Sequence, residues 1–270
     1  MTNKLQAKPI TASIILTVIL SVLWGFTSPF VRGISAQHGL LVSSLLTSVI
    51  NIVFALITIA ILGIINQTCG FKHVFKTEGF VKGLPAVLPI MAAVLFNLAF
   101  VLSSAETISG ENLSTFPLHA FVRITSAFIE TVLFRGLLVT ALFVKLSLTE
   151  SERIRSIFKA SALFLMIYML GILNTGNVNI IPIINTFIIN AGFCAAYMYS
   201  RNLIVLFLAY GTWMTLIAIL DVIVVDDSGQ ASPLLFFAVV GVLFLILTFA
   251  VRFSRRAEPF CLDKSNPTVD

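Results

Sequence analysis

The sequence predicts an all-α fold, a polytopic bundle of about eight transmembrane helices with both termini in the cytoplasm. Hydrophobic residues make up 58% of the 270 positions, charged residues make up 11%, and the mean hydropathy is +1.04. About a quarter of the residues of a soluble domain are charged, so the composition indicates a membrane protein. The second observation is a series of apolar runs of spanning length, and the third is where the basic residues fall between them.

Eight apolar runs reach about 17–25 residues, the length that crosses a bilayer. Short polar segments separate them, and two of these, at 174–177 and 226–229, have the Asn, Asp and Gly residues that tight turns use. The fourth run is the longest and the fifth is short. The predicted spans are 10–30, 40–65, 84–102, 116–144, 157–173, 178–199, 203–225 and 234–251.

The basic residues predict the orientation of these spans. If the N-terminus is cytoplasmic, Arg32 is the only basic residue in a predicted external segment, and Arg123 and Arg135 lie within a span. The positive-inside rule therefore predicts that both termini are cytoplasmic. The net charge of +5 is explained by topology and gives no indication of nucleic-acid binding. On the cytoplasmic side are 14 of the 17 basic residues, namely Lys4, Lys8, Lys72, Lys76, Lys82, Lys145, Arg153, Arg155, Lys159, Arg201, Arg252, Arg255, Arg256 and Lys264.

The fourth span carries charged residues at membrane depth. An ionisable side chain there costs roughly 2.5–3.5 kcal/mol on insertion scales, so it usually marks a functional site or an interhelical pair. At 100° per residue, His119, Arg123, Ser126 and Glu130 stay within about 40° of one another and form one polar stripe. Arg135 is about 140° around an α-helix from Glu130. We therefore expect Arg135 to meet a different neighbour or to curl around the helix.

Other polar residues within the spans have a simpler interpretation. Asparagines in transmembrane helices more often form hydrogen bonds between helices than bind ligands. The three histidines match no metal-binding spacing, and the three cysteines form no disulfide or zinc pattern. We therefore predict no cofactor and no metal site. The asparagines concerned are Asn51, Asn97, Asn185 and Asn190.

The run Glu130-Thr131-Val132-Leu133-Phe134-Arg135-Gly136 resembles the first motif of the CAAX-protease and bacteriocin-processing family, also called CPBP or Abi. That motif reads Glu-Glu-x-x-x-Arg, commonly with Phe before the Arg and Gly after it. The family's second motif, Phe-x-x-x-His, corresponds to Phe164 through Tyr168. The third, His-x-x-x-Asn, corresponds to Tyr210 through Met214. The resemblance implies a membrane-embedded endopeptidase, with a core at 111–226 between N-terminal helices at 1–110 and a last helix and basic tail at 227–270.

The resemblance also implies roles for these positions. In the family, the first Glu and the motif-two His activate water, while the motif-three His and Asn stabilise the oxyanion. Here Glu130 and Arg135 are kept, but Thr131 replaces the second Glu, and the motif-two His, the motif-three His and the Asn are replaced as well. Tyrosine, with a pKa near 10, is a poor general base at pH 7, and methionine offers no donor. The residues that replace the motif-two His, the motif-three His and the Asn are, in that order, Tyr168, Tyr210 and Met214.

Three functions remain open on this reading. The first is a catalytically degenerate family member that binds a peptide or membrane-protein partner, in bacteriocin self-immunity or membrane regulation. The second is an active intramembrane endopeptidase with an altered Glu/Tyr site, and the third is a small transporter. Candidate catalytic positions are Glu130, Arg135, Tyr168 and Tyr210, and candidate binding positions are Thr131, Phe164, Met214 and Arg123. The expected location is a bacterial plasma membrane; the sequence does not indicate the oligomeric state.

Overall fold

The structure is a bundle of helices, as the hydropathy pattern predicts. The computed structural model describes residues 2–69, 80–103, 107–108, 110–145, 149–173, 180–224 and 233–256. The turns predicted at 174–177 and 226–229 lie outside these residues. The helices are α1 (Thr2–Cys69), α2 (Phe80–Ser103), α3 (Gly110–Glu130), a π-helix (Thr131–Val139), α4 (Thr140–Lys145), α5 (Glu150–Leu173), α6 (Ile180–Ser200), α7 (Leu203–Val222) and α8 (Pro233–Arg256). Two short strands, β1 (Thr107–Ile108) and β2 (Ile223–Val224), pair antiparallel.

The α1 segment contains two helical halves that fold back on each other. They meet at Gly39, whose φ of 82° and ψ of 175° are strained for any residue with a Cβ. The indole nitrogen of Trp24 in the first half donates to Oδ1 of Asn51 in the second, at 2.8 Å. The amide nitrogen of Asn51 in turn donates to the hydroxyls of Thr125 and Ser126 on α3. The hairpin is therefore joined to α3 by polar contacts in an apolar setting.

Local sequence signals define where two of the later helices begin. Before α5, Thr149 and Glu152 form a capping box, in which the Thr149 hydroxyl accepts from the Glu152 amide and Glu152 Oε2 accepts from the Thr149 amide. At α7, the side-chain oxygen of Asn202 accepts from the amide of Val205 at 3.1 Å. Arg201, with a φ of 54°, makes the two-residue turn from α6. These caps satisfy amides that the first helical turn leaves free.

The helix that carries the charges lies at the centre of the bundle. Two described helices are long and apolar enough to cross a membrane, Gly39–Ile64 and Ser114–Leu142. Within an apolar 18-residue stretch of each span, 28% of the first is buried inside the protein, against 83% of the second. Large apolar side chains project outward from α1, such as Leu41 and Leu56, each more than half exposed. Helices α1 and α7 pack along α3, while α5 and α6 contact the π-helix.

The helix ends gather at two opposite ends of the bundle. At one end, Gly83 at the start of α2 packs against Ser200 at the end of α6. At the same end, the guanidinium of Arg255 forms an ion pair of 2.6 Å with Glu150. The β1–β2 pair joins the start of α3 to the end of α7 at the other end. Successive helices after α2 therefore alternate in direction.

Candidate functional site

A π-helix follows Glu130 directly and includes Arg135. It spans Thr131–Val139, and all nine of its residues are buried. A π-helix bonds each residue to the one five positions away, so residues five apart lie nearly above each other. The expected separation of about 140° between Glu130 and Arg135 is therefore wrong, because it assumed α-helical periodicity. The wider helix brings the Glu and the Arg of the motif onto the same side.

The carboxylate of Glu130 lies deep in the bundle, with 7% of the residue exposed. Its Oε2 accepts a hydrogen bond from the Tyr210 hydroxyl of α7. Nη1 of Arg135 is 4.0 Å from the same oxygen, at the limit of an ion pair. Arg123, two turns earlier on α3, also attracts the carboxylate electrostatically. The charge of Glu130 is thus compensated from its own helix and from α7.

The guanidinium of Arg135 is almost completely buried, at 1% exposed. Its Nη2 donates to Oδ1 of Asn190 on α6 at 2.6 Å. The ring of Tyr210 lies 4.2 Å from its central carbon, and the rings of Phe164 and Phe193 lie 5.5 and 5.6 Å away. Cation–π contacts of this kind strengthen when they are desolvated. Three aromatic rings and one amide therefore hold the guanidinium in place.

Two nitrogens of Arg135, Nε and Nη1, have no hydrogen-bond acceptor among the described residues. A buried donor without an acceptor costs about 1–3 kcal/mol, and more when the group is charged. Both Arg135 and Glu130 border one cavity of about 320 Å³. The cavity is the place from which an acceptor could reach the guanidinium.

The cavity gathers six of the eight residues that the motifs and the polar stripe indicated. It lies between α3, the π-helix and helices α5, α6 and α7. Its lining combines charged and amide groups with apolar side chains. The lining residues are Arg123, Glu130, Arg135, Phe164, Thr186, Ile189, Asn190, Tyr210, Trp213, Met214 and Ile217.

Two predicted site residues are not among the lining. Thr131, at the position of the second Glu, is 1% exposed, and its hydroxyl has no hydrogen-bond partner in the described part of the chain. Tyr168 belongs to α5, but its side chain lies outside the described residues. Thr131 is thus packed inside the bundle next to the cavity.

The structure adds α6 to the site, which the motifs did not indicate. Thr186 and Asn190 both line the cavity, four residues apart on one helix face. The prediction that Asn51 and Asn190 form hydrogen bonds between helices is confirmed by their contacts with α1, α3 and the π-helix. The side chains of Asn97 and Asn185 lie outside the described residues. In the sequence, the four-residue spacing of Thr186 and Asn190 was the signal that could have indicated the contribution of α6.

The lining offers few kinds of functional group. It holds one carboxylate, two guanidinium groups, an amide and two hydroxyls, with no histidine in the described lining. The described residues contain no group of three His, Cys, Asp or Glu side chains placed to hold a metal ion. The lining is therefore suited to hydrogen bonding and charge recognition.

Comparison with known proteins gives one match. Residues 112–216, about two fifths of the chain, match the family model described as Rce1-like, type II CAAX prenyl endopeptidase. This match confirms the resemblance drawn from the motifs, and the family is membrane-embedded and not known to need a cofactor. No curated protein matches the chain, and no solved structure does so either.

Proposed function

Since residues 112–216 match the family model of Rce1-like, type II CAAX prenyl endopeptidases, we propose that this membrane protein binds a peptide segment or a membrane-protein partner in the Glu130 cavity without hydrolysing it. One observation carries the proposal. The carboxylate of Glu130 accepts from the Tyr210 hydroxyl and faces the Arg135 guanidinium. Both contacts favour the charged form of Glu130 as a hydrogen-bond acceptor, against the cost of burying a carboxylate. Neither group is suited to relay a proton at neutral pH.

Hydrolysis would require three things of this cavity: a base for water, a proton relay and donors for the oxyanion. Glu130 is the one described carboxylate in the lining. Tyr210 is a weak relay because a tyrosine hydroxyl ionises near pH 10. Met214 supplies no donor, and the loss of one oxyanion donor typically lowers the rate by about 10²–10³. With a weak proton relay and a missing oxyanion donor, the cavity is better suited to binding than to catalysis.

The proposed biological role is self-immunity to a bacteriocin or regulation within a bacterial plasma membrane, in which the chain spans the bilayer about eight times. The alternating helix directions and the lipid-facing apolar surface of α1 support a multi-pass arrangement. A pseudoenzyme of this kind would capture its partner laterally within the bilayer.

An active endopeptidase is the second candidate, and the size of the cavity favours it. About 320 Å³ beside Glu130 has room for several waters, each of which occupies about 30 Å³. Glu130 would then be the base, and Tyr210 would have to act as a donor to the carbonyl oxygen. Hydrolysis requires the negative charge of Glu130 as the base for water, whereas binding without hydrolysis does not.

The test compares membrane peptides from a deletion strain and from strains that express the wild type, Glu130→Gln or the control Glu150→Gln at matched abundance. Gln keeps the shape of Glu130 and can still accept from Tyr210, so a binding protein should keep its function. We expect the same fragments and the same phenotype from all three proteins, with a different phenotype in the deletion strain. Glu150 is exposed and distant from the cavity.

Fragments that appear only with wild type and Glu150→Gln would overturn the proposal. They would show that the charge of Glu130 is needed for bond cleavage. The altered Glu/Tyr site would then be an active endopeptidase.

A further inference from the structure

A second site of the molecule is a groove between α2 and α8. It has a volume of about 460 Å³, and every described side chain in its lining is apolar. The groove shares no described lining residue with the Glu130 cavity. It is therefore a separate feature of the bundle. Its lining includes Leu88, Ala92 and Phe96 of α2, and Val242, Leu245 and Phe249 of α8.

The groove opens to the surroundings of the bundle. Leu88 is 60% exposed and Leu245 is 55% exposed, and in a membrane-embedded protein such side chains meet hydrocarbon. The stretch from Leu88 to Phe96 covers about 12 Å of helix at 1.5 Å per residue. One leaflet of the hydrocarbon core is about 15 Å thick. The groove thus matches a lipid acyl chain in both chemistry and length.

Two exposed arginines, Arg252 and Arg256, continue the groove face of α8 toward the end of that helix. At 100° per residue, they and the three groove residues of α8 fall within an arc of about 80°. Arg252 is about 5 Å along the axis from Phe249, and Arg256 is about 10 Å from it. Arg255 lies on another face and is paired with Glu150 of α5. The groove face of α8 therefore ends in two positive charges.

The adjoining end of α2 has the same sign of charge. This helix begins at Phe80, at the end of the bundle where α8 finishes, and its one charged residue is Lys82. An anionic group at this end would be attracted by both helices. Charge complementarity therefore favours a negatively charged headgroup above the apolar groove.

We propose that the α2–α8 groove, together with Arg252 and Arg256, is a binding site for an anionic phospholipid of the bilayer. One acyl chain lies between the two helices, and the phosphate accepts hydrogen bonds from the guanidinium groups, whose planar fork suits phosphate oxygens. A second copy of the chain is a poorer occupant. Packed here about the membrane normal, it would bring two more arginines to the same end. The proposal does not depend on the function of the Glu130 cavity.

The experiment adds dioleoyl phosphatidylglycerol and dioleoyl phosphatidylcholine in equal amounts to the purified full-length protein in detergent. The two lipids have the same chains and differ in the net charge of the headgroup. Native mass spectrometry counts the lipids that stay bound and also shows whether the chain is a monomer. We expect phosphatidylglycerol to bind about tenfold more tightly or better, since each basic residue near a membrane surface contributes about fivefold.

Two double variants test the headgroup contact. Arg252→Gln with Arg256→Gln should weaken phosphatidylglycerol binding about tenfold and leave phosphatidylcholine binding unchanged. Arg155→Gln with Lys159→Gln is the matched control, because it removes two exposed charges from α5 and leaves the groove intact. The control should bind both lipids as wild type does. Equal losses in the two double variants would show general attraction to basic residues and would overturn the proposal.

A third variant tests the acyl-chain contact. Ala92 is exposed in the groove, so Ala92→Phe places a ring in the space of the chain without overpacking the core. It should weaken binding of phosphatidylglycerol about tenfold although both arginines remain. Ala12→Phe is the control, because Ala12 is an exposed alanine of α1 outside the groove.

Three results would overturn the proposal on the side of the groove. Wild type that binds the two lipids equally would show that the arginines do not select the headgroup. Unchanged binding in Ala92→Phe would show that no chain lies between α2 and α8. A wild-type dimer that Ala92→Phe converts to a monomer would show that a second copy occupies the groove.

Discussion

Tyr210 is the residue whose position determines most of the site's chemistry. It donates to Glu130 and places its ring 4.2 Å from the centre of the Arg135 guanidinium. It also packs edge-to-face against Phe193, with ring centroids 5.0 Å apart. One side chain thus contacts both members of the charged pair. A histidine here would be a smaller ring with a different pattern of donors.

We predict that Tyr210→Phe lowers the stability of the protein by about 1–3 kcal/mol. The change removes the hydroxyl that donates to a buried carboxylate but keeps the ring against Arg135. Thermal unfolding in detergent is the measurement. Thr212→Ala on the same helix is the control, because that exposed hydroxyl donates to the Leu208 carbonyl of its own helix. A Tyr210→Phe variant as stable as the control would contradict the importance of this hydrogen bond.

The motif resemblance and the polar stripe were enough to identify six of the residues that line the cavity. Glu130, Arg135, Phe164, Tyr210, Met214 and Arg123 were candidates from the motifs and the polar stripe, and the structure brings them to one cavity. Asn190 was assigned to interhelical bonding, and it does make such a bond. Its partner could not be predicted, because Arg135 is 55 positions away. Hydrogen bonds over that separation depend on how helices pack.

At the scale of elements, the π-helix has the largest effect. Thr131–Val139 is buried along its whole length and packs against α1, α5, α6 and α7, besides the two helices that it joins, α3 and α4. An α-helix over the same residues would turn Arg135 away from Glu130. The spacing of five between the two charged residues of the motif is the spacing that a π-helix aligns. The two charged residues of the motif therefore face the same side only because the helix changes from α to π at Thr131.

Close helix packing around the site depends on small residues, and Gly192 on α6 tests this. A Cβ there would lie 2.8 Å from Ile246 on α8 and 3.0 Å from Ile90 on α2. We predict that Gly192→Ala costs about 1–3 kcal/mol through overpacking. Gly63→Ala is the control, because a Cβ at Gly63 meets nothing within 4 Å. Gly63→Ala should leave the stability of the protein unchanged or raise it slightly, since Ala has a higher helix propensity than Gly.

Thermal unfolding of both variants in the same detergent is the measurement. Equal stability of Gly192→Ala and Gly63→Ala would show that α2 and α8 move aside without cost. The three helices would then not be packed tightly against α6.

At the scale of the whole molecule, burial separates a central helix from peripheral ones. The α3–π segment is enclosed by protein, while the second half of α1 is mostly uncovered and apolar. Hydrocarbon is the environment in which such a surface costs little. The enclosed helix carries the charges, and the uncovered one carries almost none. This division places the charged site away from lipid.

We predict that both termini and the loop near residue 76 are cytoplasmic, whereas loops near residues 109 and 228 face outside. Fusions of green fluorescent protein and of alkaline phosphatase at these positions measure this, because the first fluoresces inside and the second is active outside. The basic residues concentrate on the predicted inner side. Phosphatase activity at residue 76 or at the C-terminus would contradict the predicted orientation.

The sequence by itself determined the helical, membrane-embedded character of the protein and the family that residues 112–216 resemble. Both follow from composition and from short-range spacing, which are properties of neighbouring residues along the chain. Apolar length predicts spans, and the Glu130-to-Arg135 run predicts the family, which the match at residues 112–216 confirms.

Only the tertiary structure decided how the charged residues are paired. Glu130 meets Tyr210 from 80 positions away, and Arg135 meets Asn190 from 55 positions away. A local departure from α-helical geometry then aligns Glu130 with Arg135. Helix propensity and hydropathy do not contain these contacts, because they arise from packing three helices around a π-helix in a low-dielectric interior. There, each buried charge is stabilised by the partners that packing supplies.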